Sequence, residues 1–170
     1  MVDHRHEYRA TGAVWAPALS LGMLAACASE VKPQDTNKLR ELAKGYTAAW
    51  SGQDAASIAS FFAPNGSLKV NEEAPVVGRA AIAAVAQRFM TDLPNMGVKM
   101  EELSLFGGEI VYHFTLTGRN TGPGGTGKLI RVSGSEAWTV GEDGLIASSL
   151  RSFDEAEYQR QLKVGAPRIP

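Results

Sequence analysis

The chain has 170 residues, 44% of them hydrophobic and 21% charged, with a net charge of −1 at pH 7. That length fits one domain able to bury a real core without covalent staples. The near-neutral balance leaves no basic footprint for nucleic acid, and a single cysteine excludes an internal disulfide.

Residues 1–12 are polar and carry Arg5 and Arg9 beside His4 and His6. Residues 13–26, AVWAPALSLGMLAA, hold no charge, so a modestly positive start precedes a short apolar core, the plan of a secretory signal. The run is shorter than the roughly 20 residues a transmembrane helix needs, and Pro17 interrupts it. It ends in Leu24-Ala25-Ala26-Cys27, which resembles the bacterial lipobox: a leucine, two small residues, then the cysteine that is acylated and becomes the mature N-terminus. The resemblance implies a signal peptide over 1–26, lipidation at Cys27 with acyl chains such as palmitate, and a polar tether over 27–34. It also implies export to the cell envelope and, because residue 28 is alanine and not aspartate, the outer membrane in a Gram-negative cell. The other reading is a buried apolar helix with Cys27 as a filler residue; the run lacks the helical periodicity that reading needs.

The mature part is expected to form one domain over 35–163 followed by a tail, 164–170. Leu39, Leu42, Ala43, Tyr46, Ala49 and Trp50 recur at three- and four-residue spacing and predict a first helix, capped by Asp35 or Thr36 and ended by Gly52. Asp54 caps a second short helix carrying Ile58, Phe61 and Phe62, which Pro64-Asn65-Gly66 breaks. A short strand is expected over 67–71. Gly78 precedes a third helix with Ile82, Val85, Ala86, Phe89 and Met90 on one face, closed by Leu93-Pro94. From Val98 the period becomes two, most clearly over Ile110–Thr117. A glycine-rich loop over 118–127 leads to a long strand, Leu129–Val140, in which Gly134 suggests a bulge or bend. Glu142-Asp143-Gly144 predicts a hairpin turn, Ile146–Phe153 a last strand, and Asp154 the cap of a C-terminal helical turn through Leu162. Helices followed by long antiparallel strands make an α+β plan, with helices packed on one face of a curved sheet.

The stretches Leu116-Thr-Gly-Arg-Asn-Thr-Gly-Pro123, Gly134-Ser-Glu-Ala-Trp138 and Asp143-Gly-Leu-Ile146, with Phe153-Asp154 and Gln161-Leu162 after them, resemble the C-terminal half of SnoaL-like proteins. These belong to the nuclear-transport-factor-2-like (NTF2-like) superfamily of cone-shaped domains, which includes ketosteroid isomerases and polyketide cyclases. The resemblance implies that cone, with a pocket between helices and sheet that holds a small hydrophobic ligand. It names Trp50, Phe62, Phe89, Tyr112, Phe114 and Trp138 as candidate ligand-binding residues, although core filling explains the same residues.

Cyclases and isomerases of this kind need a carboxylate base in an apolar pocket. Where the resemblance would place an aspartate on the final strand, this chain has Arg151, which cannot be a general base. Glu136 and Arg151 are therefore the candidate catalytic residues, Glu136 as base with Arg151 as its electrostatic partner. The competing reading is a cross-strand ion pair, of little weight if it lies at the surface. His113 alternates out of phase with Tyr112 and Phe114, so it is expected on the convex face, where the superfamily often dimerises; a homodimer is one expected partner state. Tyr46 and Tyr112 could donate to a ligand, or be core residues with satisfied hydroxyls. No metal ligand set with the right spacing, no phosphate loop and no nucleophile elbow occurs, and no cofactor is expected. Three functions remain open: a small-molecule binder, an isomerase or cyclase, and an envelope interaction domain.

Overall fold

In the computed structural model the structure describes residues 33–106 and 109–167. The proposed signal peptide, Cys27 and most of the tether lie outside the described residues. The elements in chain order are helix α1 (Pro33–Ser51), helix α2 (Ala55–Ser60), strand β1 (Phe62–Val70), strand β2 (Val76–Val77), helix α3 (Arg79–Asp92), strands β3 (Gly97–Phe106), β4 (Glu109–Arg119), β5 (Leu129–Val140) and β6 (Ile146–Phe153), and helix α4 (Glu155–Val164). One six-stranded sheet runs β2-β1-β6-β5-β4-β3, with the helices on its inner face. This is the expected α+β cone, a curved and unclosed sheet.

The α1 stripe buries Leu39, Ala43, Tyr46, Ala49 and Trp50 as the periodicity predicts. The helix begins at Pro33, so Asp35 and Thr36 lie in its first turn instead of capping it; proline suits a first helical position because its missing N–H would have no partner there. Asp54 caps α2 by accepting from the Ser57 N–H at 2.8 Å, and Asp154 caps α4 by accepting from the Glu157 N–H at 2.9 Å. Strands β4 and β5 alternate cleanly, with Ile110, Tyr112, Phe114 and Leu116 buried on one and Ile130, Val132, Glu136 and Trp138 on the other.

Three expectations need correction. Phe62 belongs to β1 and not to α2, and Pro64-Asn65-Gly66 does not end an element. It lies inside β1, where the pairing with β6 shifts register between Phe62 and Ser67. Second, the sheet is mixed: β1 pairs with β6 in parallel, Val70 opposite Arg151, while the other pairs are antiparallel. Third, Gly134 forms no bulge. It pairs in register with Phe114 and Phe153, and a Cβ there would stand 2.5 Å from the Ser152 carbonyl oxygen and 2.8 Å from the Phe114 ring. The glycine is required by close approach, not by a bend.

Candidate functional site

Strand alternation and the turn at Gly144 decide what meets inside the cone. The turn sets β5 against β6 so that Glu136 lies directly opposite Arg151, with both on the inner face. Ser149, two residues before Arg151, shares that face, and Trp138 does so two residues after Glu136. From the helical side α1 brings Tyr46 and Trp50.

Glu136 is fully buried and Arg151 is 2% exposed. Arg151 donates from Nε to Glu136 Oε1 at 2.7 Å and from Nη2 to the same oxygen. The Tyr46 hydroxyl donates to Oε2 at 3.0 Å, the Trp138 indole N–H at 3.1 Å and the Ser149 hydroxyl at 2.8 Å. Those are five donor atoms on a group with about four lone-pair positions. The carboxylate is saturated. The pair is the cross-strand ion pair foreseen as the alternative to a base, but it sits in the interior and not at the surface.

The guanidinium is packed as tightly as the carboxylate. Its carbon lies 4.1 Å from the centre of the Trp50 ring, 5.0 Å from that of Phe114 and 5.9 Å from that of Phe89, within cation–π range of each. Burial is the largest single influence on Arg151 and opposes its charge, but the Glu136 carboxylate together with Tyr46 and Tyr112 more than offsets it and raises the arginine's affinity for its proton. Tyr46, buried and beside the same carboxylate, is held well above the usual phenol range. Burial pushes Tyr112 up to about 12, although its hydroxyl shares a 2.8 Å hydrogen bond with Thr47. The hydroxyls of Tyr46 and Tyr112 thus both have protein partners.

Of the candidate ligand-binding residues, Trp50, Phe62, Tyr112, Phe114 and Trp138 are 0–4% exposed and packed together. The Tyr112 and Trp138 rings stack at 4.9 Å, and Tyr46 meets Trp138 edge-on at 5.3 Å. A void of about 10 Å³, room for no more than a water, remains beside Arg151 against Phe114, Leu116 and Val132. Phe89, Phe153 and Tyr158 roof it. On the outer side of those same three rings a groove of about 220 Å³ opens between α3, α4 and the ends of β1 and β6. The mouth of the cone is therefore open and its interior is full. Phe153 and Tyr158 were not singled out from the sequence; their signal was the aromatic pair flanking the Asp154 cap, which reads equally well as core.

His113 lies half-buried on the outer sheet face, opposite Ser135 and Glu102. Among the described residues no group of three or more His, Cys, Asp or Glu side chains could hold a metal, and no helix is long and apolar enough to cross a membrane.

Comparison with known proteins agrees with this architecture. The chain matches the SnoaL-like domain over residues 43–149 and belongs to that family. No curated protein matches it by sequence. Solved structures share its fold at low identity. A candidate SnoaL-like polyketide cyclase from Jannaschia sp. CCS1 is 18% identical, with a TM-score of 0.67 over 82% of this chain and 99% of its own. TsrD from Streptomyces laurentii is 22% identical, with a TM-score of 0.65 over 76% and 97%. A hypothetical protein with a ketosteroid isomerase-like fold from Catenulispora acidiphila, solved with trimethylamine, is 18% identical, with a TM-score of 0.64 over 76% and 98%.

Proposed function

We propose that this chain is an exported lipoprotein, anchored through Cys27, whose SnoaL-like domain binds a small molecule at the mouth of its cone and does not use Glu136 as a base. The observation that carries the reading is the division of space around Phe89, Phe153 and Tyr158: about 220 Å³ outside those rings against about 10 Å³ inside them. A base for proton abstraction must offer a lone pair to its substrate. Glu136 spends its own on Arg151, Tyr46, Trp138 and Ser149. The trimethylamine complex of the Catenulispora neighbour supports small-molecule binding by a cone of this shape. The lipobox-like Leu24–Cys27 supports the anchor.

Native mass spectrometry of the full chain, released from detergent, tests the binding reading. A co-purified or added small molecule whose occupancy falls in Phe153→Ala supports it; occupancy unchanged by that substitution removes the site from the mouth. For the anchor, the wild-type chain expressed in a bacterium should carry an acyl mass on Cys27 and sediment with membranes, and Cys27→Ser should do neither.

One observation favours a second, compatible reading, in which two copies associate through the outer sheet face. On that face Val111, His113, Ser135, Ala137 and Ser148 form a patch of uncharged side chains bordered by Lys69, Glu102 and Glu109, and Leu150 stands 41% exposed on it. Sedimentation of the chain with Leu150→Lys against wild type checks it; a wild-type monomer ends it.

A further inference from the structure

The groove at the cone mouth has a chemical character of its own. Its floor is aromatic: Phe153 and Tyr158 meet edge-on with centres 5.6 Å apart, and Phe89 stands 6.4 and 6.5 Å from them. Its rim is acidic. Glu73 is matched by Arg88 at 3.6 Å, but Asp92 and Glu155 have no cationic partner among the described residues. Glu155 receives only the neutral amide donors of Asn71 and Gln159. Both carboxylates act on Tyr158: after burial itself, their charges are what push its phenol up to about 12. The Tyr158 residue is 7% exposed, lines the groove, and its hydroxyl makes no hydrogen bond among the described residues. The ring is buried while the hydroxyl, without a protein partner, opens into the groove, where a ligand can donate to it.

We propose that the groove selects an organic cation carrying an N–H donor, an alkylammonium or a comparable protonated amine. The cation's N–H would donate to the Tyr158 oxygen. Its charge would lie between Asp92 and Glu155, and its carbon chain would cover the Phe89 and Phe153 rings. The three parts suit one another: ring faces are negative and attract cations, the unmatched carboxylates supply the counter-charge, and an anion would meet both as repulsion. The Glu136–Arg151 pair beneath needs no change, since the roof of rings separates it from the ligand.

This inference rests on the mouth being the binding site, and the test separates the two. The probes are n-butylammonium, 1-butanol and butanoate, titrated into the full chain in detergent solution. The readout is the shift of the Asp92, Phe153 and Tyr158 backbone amide resonances. Butylammonium should shift them saturably, with 1-butanol about tenfold weaker and butanoate weaker still, the tenfold corresponding to about 1.4 kcal/mol. Asp92→Asn should bring butylammonium down toward 1-butanol while leaving 1-butanol unchanged, a readout that a merely structural role for Asp92 would not produce. If 1-butanol or butanoate binds as tightly as the cation, the groove is a small-molecule site without charge selection and the cation proposal fails alone. If none of the three probes moves those resonances, the mouth is not a binding site and both readings fall.

Discussion

The guanidinium carbon of Arg151 lies 4.1 Å above the Trp50 ring, so the only cation in the interior among the described residues is shared between a carboxylate on its own sheet and an indole on the opposite helix. It ties α1 to β6 at a point where neither partner meets water.

Removing one half of the buried pair should therefore be expensive. Arg151→Met or Glu136→Gln, each alone, is expected to cost about 3–5 kcal/mol, because an uncompensated charge is left inside. The double variant should cost clearly less than the sum, since the substituted amide would still accept from Tyr46, Trp138 and Ser149 while no charge remains. Urea unfolding of the four proteins gives the coupling; additive losses would mean that the two groups do not act as a pair.

Gly134→Ala is expected to destabilise the domain by about 1–3 kcal/mol, the usual cost of overpacking. The added methyl would meet the Ser152 carbonyl, which is backbone and cannot step aside. Gly144→Ala meets no neighbour, but its φ of +76° carries a conformational cost of about 1–2 kcal/mol. Thermal unfolding of both variants compares crowding with backbone strain.

Alkali should act through the phenols. Tyr112 and Tyr158 are raised to about 12, and Tyr46 is raised as well. In the unfolded chain they ionise near 10. The folded state holds its protons longer, so stability is full below pH 10 and is lost as pH rises from 10 toward 12. Spectrophotometric titration should show these three of the four tyrosines ionising late and together with unfolding, and early ionisation of Tyr158 would contradict the burial assigned to it.

Asp154→Ala should cost about 1 kcal/mol in overall stability through the lost cap. It should also loosen α4, and hence the position of Tyr158 over the groove, faster than it loosens the sheet. Amide hydrogen exchange resolves the two: protection should fall first in Tyr158–Leu162, while β5 keeps its own.

Much of this architecture is legible in the sequence because the elements carry strong periodic signals. Alternation over 110–117 and 129–140 and the turn residues at 142–144 fix β4, β5 and β6, and with them the facing of Glu136 and Arg151. What stays hidden is long-range. Pro64-Asn65-Gly66 has the chemistry of a breaker, and only its pairing with a distant strand absorbs it into β1. The parallel partnership of β1 and β6 leaves no trace in either strand. Gly134 announces that something unusual happens there but not whether the backbone bends or another chain segment comes close. The fullness of the cone is likewise invisible, because an aromatic side chain that lines a pocket and one that fills it obey the same pattern. Tyr46 and Ser149, which complete the shell around Glu136, arrive from an element far along the chain and from the residue two before Arg151, where a serine on a core-facing position was the available hint.

The partnership of β1 with β6 has a bearing on how the protein is made. Apart from the two-residue β2, β1 has β6 as its neighbour in the sheet, and Val70 finds its place only when Arg151 is present. Contacts that distant along a chain form slowly. A growing polypeptide could assemble α1 and α2 early, yet the sheet that shelters their apolar faces stays incomplete until the last strand, β6, has been synthesised. The nascent chain is thus obliged to wait, a delay that would suit the export proposed above, since a secreted polypeptide crosses the membrane before it folds.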